Sequence, residues 1–491
     1  MSSADLLIGN VFRVAARSVP ARVAAAIGER SITYGELDAE ANRIARLLQS
    51  LGVGHHDRVV LWSDTSLDAV PLFAGLAKVG AVFAPANALL GLEEAADMIG
   101  LADPSALVVD DGHAGDGRLL AERFGVPLLV LPIDATAHAS DDVRPDGLAE
   151  DDIHVIFFTS GSTGRSKGVM LSHRVNYLRT HPGSQIEPRG ATVCMYPLFH
   201  MGAWTIALQA FQCQSPIVFA GANPAVIVDA IESWKATHFN AIPAVWRRIL
   251  DFLATDEGRG RDLSSLRIVD SGTSATPPQL LNDLHAAVPQ AVRRVFYGST
   301  EAGAVTLLRD EDMQRKPGSC GSPQHSVEIS LAPGTGELLV RGPLIFSGYY
   351  NDKAATDGAM APGGWFRAGD LADVDDEGFV SIVGRARDII RTGGETVAPS
   401  EVEEVLSDHP AFVDVAVVGI PDAQWGEVVC ATVVLRQGAA PPSLDELGAH
   451  CRDRLAKFKR PRRIEVFDTI PRTPATNQVQ RRLLIEQITS R

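Results

Sequence analysis

The chain has 491 residues, too many for one compact core, so we expect two or three domains. Hydrophobic residues make up 45% and charged residues 21% of the composition, as is usual for soluble globular enzymes. The net charge of −15 argues against a nucleic-acid partner, because duplex affinity comes largely from cationic side chains that neutralise phosphates. An acidic protein can still bind a small phosphorylated ligand, since phosphates need only a local cluster of donors.

The cysteines and the N-terminus bear on the compartment of the protein. The five cysteines are scattered without paired metal-ligand spacing, which favours a reducing compartment over a disulfide framework or a zinc site. The first 20 residues lack the continuous apolar region of a secretion signal, and the apolar residues 70–90 are interrupted by Lys78 and two prolines. We therefore expect a cytoplasmic protein without an integral membrane segment, with peripheral attachment through a surface helix as an open alternative.

Apolar runs alternate with amphipathic stretches through most of the chain, which indicates α/β architecture. Residues 33–36 (TYGE) have the pattern of a capping box, and the apolar spacing that follows predicts a helix that ends at Gly52. Residues 59–61 read as a buried strand. Residues 133–152 are poor in apolar side chains and rich in acids, so we expect an exposed connection there.

A smaller α/β module is predicted near the C-terminus. Residues 400–403 (SEVE) suggest a second capping box with a short helix, and residues 413–420 and 428–435 read as strands. Charged residues interrupt the apolar pattern at residues 384–388, where we expect the boundary between a large and a small domain.

The segment TSGSTGRSKG at residues 159–168 follows one predicted strand, residues 155–158, and precedes another, residues 169–171. Its glycines let the backbone wrap closely around an anion, while hydroxyls and a lysine offer donors to phosphate oxygens. The spacing is not that of a Walker A loop, because Gly168 follows the lysine. The alternative is a flexible surface turn rich in serine and glycine.

Two further loops carry chemistry-bearing residues. YGSTE at residues 297–301 follows an apolar pair, and its hydroxyls and carboxylate could hold a nucleotide and its magnesium ion. GWFRAGD at residues 364–370 places Asp370 in what reads as a tight turn, suited to accepting hydrogen bonds from ribose hydroxyls. A solvated glutamate and a structural aspartate turn are the alternatives.

Taken in this order, the segments resemble the adenylate-forming superfamily of acyl-CoA synthetases, aryl-CoA ligases, peptide-synthetase adenylation domains and luciferases. The resemblance extends from about residue 156 to residue 484 and includes PLFH at 197–200, GRARD at 384–388 and GGE at 393–395. It implies a large N-terminal domain of several subdomains that binds ATP and the acyl group, residues 1–386. It also implies a small mobile α+β C-terminal lid domain, residues 387–491.

The resemblance further implies site residues. The β- and γ-phosphates would lie against Thr159, Ser160, Gly161, Ser162, Thr163, Gly164 and Lys167. Thr300 and Glu301 would contact the α-phosphate and magnesium, with Glu301 as the metal ligand. The adenine and acyl-carboxylate region would be lined by Ser271, Gly272, Thr273, Ser274, Phe296, Tyr297 and Gly298. Asp370 and Arg385 would hold the ribose, Gly393 and Gly394 would lie along the pantetheine tunnel, and Arg387 would be the hinge residue.

His200 has two interpretations. A lone histidine is more often a structural residue, whereas the resemblance implies an acyl-site gate that acts through its shape rather than by carrying a proton. Met201, Trp204 and Trp246 are equally compatible with acyl-pocket walls and with the core.

The family's C-terminal catalytic lysine is missing. In PRTPATNQVQ, residues 471–480, Gln478 occupies its position and carries no charge to neutralise the forming acyl phosphate. Losing one such donor typically costs roughly 10²–10³ in rate. An engineered substitution, a natural variant and a neighbouring basic residue acting instead are the three explanations, and the otherwise intact motifs favour the first.

The sequence thus predicts an ATP-dependent acid–CoA ligase that uses ATP, Mg²⁺ and coenzyme A on a fatty or aryl carboxylic acid. The absence of an aspartate at the start of the 200–204 region disfavours an amino acid as the substrate. Seven basic residues within 452–463 either attract the 3′-phosphate of CoA or form a solvated helix face. Two alternative functions remain, an enzyme that loads a carrier protein in trans and a catalytically silent binder of nucleotide or acyl-adenylate.

Overall fold

A computed structural model describes residues 6–160, 166–181, 190–452, 454–473 and 477–490. The chain forms two compact units, which are described separately. The larger unit comprises Met1–Gly318, Gln324–Glu328 and Arg341–Phe366, and the smaller comprises Ser319–Pro323, Ile329–Val340 and Arg367–Arg491.

Helices and strands alternate in the first 309 residues. In chain order the elements are α1 (Ile8–Ser18), β1 (Val23–Ile27), β2 (Arg30–Thr33), α2 (Tyr34–Ser50), β3 (Arg58–Trp62), α3 (Ala69–Val79), β4 (Val82–Ala86), α4 (Leu92–Leu101), β5 (Ala106–Val109), α5 (Ala114–Phe124), β6 (Leu128–Val130), β7 (Ile153–Ser160), β8 (Ser166–Ser172), α6 (His173–Thr180), β9 (Thr192–Cys194), α7 (Met201–Gln212), β10 (Ile217–Phe219), α8 (Pro224–Trp234), β11 (His238–Ala241), α9 (Pro243–Ala254), β12 (Ile268–Gly272), α10 (Pro278–Ala287), β13 (Val292–Ser299) and β14 (Gly303–Arg309).

Shorter strands precede the C-terminal module. The remaining elements are β15 (Ser322–Pro323), β16 (Glu328–Leu331), β17 (Glu337–Arg341), β18 (Gly348–Tyr349), α11 (Lys353–Ala359), β19 (Met360–Ala361), β20 (Trp365–Val374), β21 (Val380–Arg385), β22 (Ile390–Thr392), β23 (Glu395–Val397), α12 (Pro399–Ser407), β24 (Phe412–Asp422), β25 (Gly426–Leu435), α13 (Leu444–His450), β26 (Arg463–Val466) and α14 (Arg481–Thr489).

Two sheets organise the larger unit. The first runs in the order β14-β13-β12-β11-β9-β10-β1-β2, parallel from β13 to β1 with an antiparallel strand at each end. The second runs β18-β8-β7-β4-β3-β5-β6, in which β8 and β18 are antiparallel to their neighbours. Parallel strands joined by helices confirm the predicted α/β class.

Local sequence signals explain several of these elements. The Thr33 side chain accepts from the Glu36 amide while the Glu36 carboxylate accepts from the Thr33 amide, so the predicted capping box starts α2. The predicted strands at residues 59–61, 155–158 and 169–171 are found in β3, β7 and β8. Every residue of α3 is buried, because this helix packs inside the unit rather than on its surface.

The C-terminal module of the smaller unit is a sheet of β23-β22-β25-β24 with β26 paired to β25. The predicted strands at 413–420 and 428–435 are confirmed as β24 and β25. Two apolar clusters contain neighbouring residues of β24, one built around Val417 and Val402 and the other around Val418 and Leu484. Because adjacent strand residues point to opposite faces, α12 and α14 cover the two faces of this strand.

Two sequence expectations were wrong in part. No side chain caps α12, since Pro399 starts that helix, Ser400 donates to the Val383 carbonyl and Glu403 accepts from the Val417 amide. Residues 133–152 form no helix or strand, as expected, but the segment is not simply exposed, because Ile133 and Val143 are buried. None of the helices in the described part of the chain combines the length and apolar character needed to cross a membrane.

Candidate active site

The parallel strands of the first sheet end at one edge, where a ligand site is expected in α/β folds. Strands β9, β11, β12 and β13 are mutually parallel, so the residues at their carboxyl ends share this edge. The topology therefore brings residues 271–274 next to residues 296–298, with Gly272 directly opposite Phe296. This is the predicted adenine and acyl-carboxylate region.

Close backbone approach explains the glycines of this region. A Cβ at Gly272 would lie 2.6 Å from the Phe296 carbonyl oxygen, and one at Gly298 would lie 2.0 Å from the Gly303 carbonyl oxygen. Both positions therefore require glycine. Of the other predicted residues, Thr273 and Ser274 are exposed, and Ser271 is buried with its hydroxyl 3.0 Å from that of Thr276.

His200 lies at the start of α7, beside a tyrosine that the sequence did not single out. Its ring stacks on Tyr196 with centroids 5.4 Å apart, and its Nδ1 accepts a hydrogen bond from the Gly202 amide. Burial lowers the pKa of His200 to about 4, so the ring is neutral near pH 7. The geometry suits a shape-determining residue and not a proton carrier.

Tyr196 links three strand ends at the same edge. Its hydroxyl lies 2.8 Å from Asn240 Oδ1 and is also hydrogen-bonded to Thr273, whose backbone φ is +71°. Burial raises the pKa of the phenol, so the hydroxyl stays protonated. Tyr196 and Asn240 each follow or end a parallel strand, and that position was the signal by which the sequence could have revealed them.

The phosphate-loop segment joins the antiparallel pair β7 and β8. Thr159 pairs with Lys167 and Ser160 pairs with Ser166, so both ends of the loop are fixed by the second sheet. The predicted residues Gly161, Ser162, Thr163 and Gly164 lie outside the described residues. A Cβ at Gly168 would lie 2.8 Å from Ile156 Cγ2, which accounts for the glycine after the lysine.

Lys167, Tyr349 and Glu301 form a continuous group of contacts. The Lys167 ammonium lies 4.7 Å from the centroid of the Tyr349 ring, and the Tyr349 hydroxyl donates a 2.9 Å hydrogen bond to Glu301 Oε1. Burial and the nearby Glu301 carboxylate raise the pKa of Tyr349. The structure thus joins the phosphate-loop lysine to the predicted magnesium ligand.

Arg179 fixes the turn that carries Thr300 and Glu301, and no motif in the sequence singled this residue out. Its guanidinium donates to the carbonyls of Thr300 at 2.8 Å, Glu301 at 2.8 Å and Leu344 at 2.9 Å. Burial lowers the pKa of the guanidinium and the Glu301 charge opposes this, yet an arginine remains cationic at neutral pH. This planar donor holds the turn between β13 and β14 in one conformation.

The two tryptophans proposed as pocket walls lie in the interior. Trp204 is 1% exposed, stacks on Phe73 at 3.9 Å and donates to the Leu198 carbonyl. Trp246 is also 1% exposed and donates to the Asp270 carbonyl. Their packing supports the core interpretation. Met201 is partly exposed, and its sulfur accepts from the Thr205 hydroxyl.

In the smaller unit the structure brings Asp370 and Arg385 together. They face each other across β20 and β21, and Arg385 Nε lies 3.0 Å from Asp370 Oδ1. The expected tight turn at Asp370 was wrong, because the residue belongs to the continuous strand β20. The turn signal came from Gly363 and Gly364, which have positive φ immediately before that strand.

Gly393 and Gly394 connect β22 to β23, and Gly393 lies against an aromatic side chain. A Cβ at Gly393 would lie 2.7 Å from Trp425, and the Gly393 amide donates to the Trp425 carbonyl. The Arg462 guanidinium lies 3.8 Å from the centroid of the Trp425 ring. This part of the basic segment 452–463 is therefore joined to the glycine turn.

The basic segment is not one solvated helix face. It contains a 3₁₀ turn at Lys457–Lys459 and the start of β26. Three of its cations are paired with acids, Arg454 with Asp408, Lys459 with Glu401 and Arg463 with Glu465.

Gln478 is exposed, and the arginines on either side of it in the sequence, Arg472 and Arg481, are already paired with acids. Arg472 lies 2.8 Å from Asp414, and Arg481 binds Glu403 and lies 3.3 Å from Asp388. Asp388 also lies 3.4 Å from the predicted hinge residue Arg387. These ion pairs disfavour the idea that Arg472 or Arg481 replaces the missing lysine.

Two family models match the chain. One, described as AMP-binding enzyme, matches residues 12–350, and the other, described as AMP-binding enzyme C-terminal domain, matches residues 401–476. Feruloyl-CoA synthase from an Amycolatopsis species is 33% identical over 477 residues, which cover 93% of this chain and 94% of that protein.

Further relatives agree with this match. The long-chain-fatty-acid–CoA ligase FadD13 of Mycobacterium tuberculosis is 31% identical over 479 residues, covering 93% of each chain. The crystal structure of ATP-bound MatB from Rhodopseudomonas palustris has a TM-score of 0.87 at 28% identity, covering 98% of both chains. The chain therefore belongs to the AMP-binding enzyme family, the adenylate-forming superfamily that includes the acyl-CoA ligases.

Proposed function

We propose that the protein is an ATP-dependent acid–CoA ligase acting on a fatty or aryl carboxylic acid. In the first step a carboxylate oxygen of the acid attacks the α-phosphorus of ATP, pyrophosphate leaves and acyl-AMP forms. In the second step the CoA sulfur attacks the acyl carbonyl and AMP leaves. The observation that carries the proposal is the contact chain from Lys167 through Tyr349 to Glu301, in a chain of this family.

The first step concentrates negative charge around the α-phosphorus. Lys167 and the hydroxyls of Thr159 and Ser160 would bind the β- and γ-phosphates, together with residues 161–164 of the same loop. Thr300 would donate to the α-phosphate from the turn that Arg179 holds. Donors fixed before the reaction stabilise the transition state most, because they need no reorganisation.

The residues at Glu301 fit a magnesium ion. A carboxylate is a hard oxygen ligand of the kind Mg²⁺ prefers, and among the described residues only Tyr349 donates a hydrogen bond to it. The oxygen Oε2 would therefore be available to hold the ion. A bound magnesium ion would neutralise part of the negative charge of the phosphates. The protein's part is to hold the carboxylate, through Tyr349 and through the Arg179 bond to the Glu301 carbonyl.

The smaller unit would supply the ribose and CoA contacts. The Asp370 carboxylate, oriented by Arg385, could accept hydrogen bonds from ribose hydroxyls. Gly393 and Gly394 would border the pantetheine arm, with Trp425 and Arg462 beside them and the cations of 452–463 attracting the 3′-phosphate. Raising the salt concentration should then raise the Michaelis constant for CoA more than that for the acid.

The domain assignment belongs to the same proposal. Residues 1–386 would form the ATP- and acyl-binding domain, which would include Asp370 and Arg385 of the smaller unit. Residues 387–491 would turn as a lid about Arg387 between the two steps. Movement of this lid would let the side chain at position 478 act in adenylation. It would then let the turn at Gly393 and Gly394 act in thioester formation.

The acid is proposed at the level of its class. The names of the similar proteins include a feruloyl-CoA synthase and a long-chain-fatty-acid–CoA ligase, which supports aryl and fatty acids as the first candidates. A neutral His200 stacked on Tyr196 offers an aromatic surface to such an acid rather than a charge. A panel of aryl, short-chain and long-chain fatty acids in an ATP–pyrophosphate exchange assay would identify the substrate.

Gln478 supports a second candidate, a silent binder of nucleotide or acyl-adenylate. One experiment distinguishes the ligase from the silent binder by comparing the chain with its Gln478→Lys variant. Each protein is offered CoA and a phosphopantetheinylated carrier protein in parallel. The proposal expects acyl-CoA by mass spectrometry, at least from the lysine variant. Tight ATP binding by calorimetry, with no product from either protein, would instead establish the silent binder.

A further inference from the structure

A cluster of possible metal ligands lies in the larger unit, away from the residues discussed so far. His55 and His56 occupy the turn before β3, and Asp152 immediately precedes β7. One nitrogen from each histidine and one carboxylate oxygen all lie within 4.8 Å of one another. The proposed ligase reaction uses none of these groups.

The distances from the two histidines to the Asp152 carboxylate are close to those between ligands of one ion. His55 Nε2 lies 2.8 Å from Asp152 Oδ2, and His56 Nε2 lies 3.9 Å from Asp152 Oδ1. Two ligands about 2.0–2.1 Å from a tetrahedral ion are about 3.3 Å apart, a value between these two distances. Rotation of the two imidazoles out of their stacked arrangement would place all three groups around one ion.

The backbone holds both imidazoles in this arrangement. His56 has a φ of +68°, which is uncommon for a residue with a side chain, and its amide donates to the Gly80 carbonyl. The two rings stack with centroids 3.8 Å apart, and a Cβ at Gly80 would lie 2.9 Å from His55 Cδ2. Strained backbone that turns adjacent side chains in the same direction often marks a functional site.

We propose that His55, His56 and Asp152 form a binding site for a divalent transition-metal ion, for which Zn²⁺ is the probe. Two imidazole nitrogens and one carboxylate suit zinc, copper or nickel, whereas magnesium prefers an all-oxygen shell. His56 is 61% exposed in its side chain and Asp152 is 19% exposed, so water can complete the coordination and the ion can enter from solvent.

The site would stabilise the fold and would not catalyse. The cluster joins the connections that enter β3 and β7, and β4 pairs in parallel with both strands. It therefore lies at the amino ends of these strands, whereas Thr159 and Ser160 lie at the carboxyl end of β7. An ion bound only by the folded chain raises the melting temperature, because it shifts the unfolding equilibrium.

The test uses the full chain without a polyhistidine tag and with its metals removed by chelation. Calorimetric titration with Zn²⁺ should give one ion per chain, and the melting temperature should rise with Zn²⁺ and return to its starting value with EDTA. Co²⁺ should give the visible absorption of a nitrogen- and oxygen-ligated ion. Excess Mg²⁺ should not compete, which separates this site from the one proposed at Glu301.

The double variant His55→Gln, His56→Asn removes both imidazoles. Glutamine can still bond to Asp152, and asparagine tolerates positive φ. We expect its Zn²⁺ affinity to fall more than tenfold and its zinc-dependent rise in melting temperature to be lost. His138→Asn, at a partly exposed histidine outside the cluster, is the control and should behave as the wild type. Wild-type affinity in the double variant, or no stoichiometric binding by the wild type, would overturn the proposal.

Discussion

At the scale of single residues, the carboxylate of Glu301 is oriented from two sides. Tyr349 donates to the carboxylate itself, while Arg179 donates to the backbone carbonyls of Thr300 and Glu301. A cation bonded to three carbonyls is not interchangeable with lysine, whose ammonium lacks the planar arrangement of donors. The position of the proposed magnesium ligand therefore depends on a residue more than 100 positions earlier in the chain.

The substitution Arg179→Lys should keep the positive charge at residue 179 but displace the turn that carries Thr300 and Glu301. A shift of about 1 Å in a catalytic group can cost about 100-fold in rate, so we expect ATP–pyrophosphate exchange to fall by one to two orders of magnitude. The magnesium concentration for half-maximal exchange should rise as well, which a loss of folding stability alone would not produce. Arg293→Lys is the matched control, since Arg293 lies on β13, the strand that leads into the turn, and binds Asp310. Equal effects of both substitutions on the magnesium requirement would contradict the role.

Gln478→Lys should restore a cation to the forming acyl phosphate. We expect ATP–pyrophosphate exchange to increase by roughly 10²–10³, because that is the usual cost of losing one such donor. Formation of acyl-CoA from synthetic acyl-AMP should change little, since the lysine acts in the first step. Gln478→Met serves as the control of similar size without a charge. An unchanged exchange rate in the lysine variant would mean that the catalytic cation lies elsewhere.

Two buried histidines predict the response to acid. Burial lowers the pKa of His173 to about 4 and holds the pKa of His154 well below its usual value. Unfolded histidines titrate near pH 6.5, so below that pH the unfolded chain binds protons that the folded chain does not. The free energy of unfolding should therefore fall from pH 6.5 towards pH 4, by up to about 1.4 kcal/mol per pH unit for each site.

Urea unfolding between pH 7.5 and 5 measures this dependence. The variant His154→Gln, His173→Asn should show a shallower decline of the unfolding midpoint than the wild type. Identical declines in the two proteins would assign the acid sensitivity to other groups.

Residue types in linear motifs, together with the family resemblance, were sufficient to name Lys167, Glu301, His200 and the pair Asp370 and Arg385 as candidates. They were insufficient for Arg179, Tyr196 and Asn240. These residues act through contacts that exist only after separate strands have been aligned, as when Tyr196 reaches Asn240 on β11. An isolated arginine in a polar helix carries no periodic or spacing signal that separates it from surface residues.

At the scale of elements, the hairpin of β13 and β14 is the part of the fold that positions Thr300 and Glu301. Its register shifts between Tyr297 and Gly298, so the strands approach each other closely beside the turn. The carbonyl of Gly303 then leaves no space for a side chain on Gly298. The geometry of the hairpin therefore also sets the position of the proposed magnesium ligand.

Gly298→Ala should push the two strands of this hairpin apart. We expect exchange activity to fall by two orders of magnitude or more, with a smaller loss of stability, because the new methyl group cannot fit 2.0 Å from a carbonyl oxygen. Gly115→Ala in α5 is the control, since its added methyl group meets nothing within 4 Å and alanine favours helix. Full activity in Gly298→Ala would show that the turn does not depend on this packing.

Element prediction succeeded where local hydrogen bonding decides the outcome. At Thr33 and Glu36 the box formed, and the hydrogen bonds of both side chains within the described residues run between these two positions. The box expected at Ser400 did not form, since tertiary partners took both of its members, whereas an unpredicted one starts α13 with Ser443 and Glu446. The tertiary environment decides between equally good local patterns.

At the scale of the whole molecule, the two compact units divide the proposed chemistry. The larger unit carries the phosphate loop, Glu301 and His200, and the smaller carries Asp370, Arg385, the glycine turn at 393–394 and Gln478. α/β order and a large domain followed by a small one could be predicted from alternating apolar patterns. The sheet orders could not, because they are set by non-local pairings such as that between β1 and β10.

ATP–pyrophosphate exchange in the Gln478→Lys protein tests the central claim most directly. With a panel of aryl and fatty acids, labelled pyrophosphate should enter ATP in the presence of at least one acid and only with a divalent cation. Glu301→Gln in the same background should abolish most of that exchange. If no acid supports exchange although the protein is folded and binds ATP, the convergence of Lys167, Tyr349 and Glu301 does not serve adenylation and the account is contradicted.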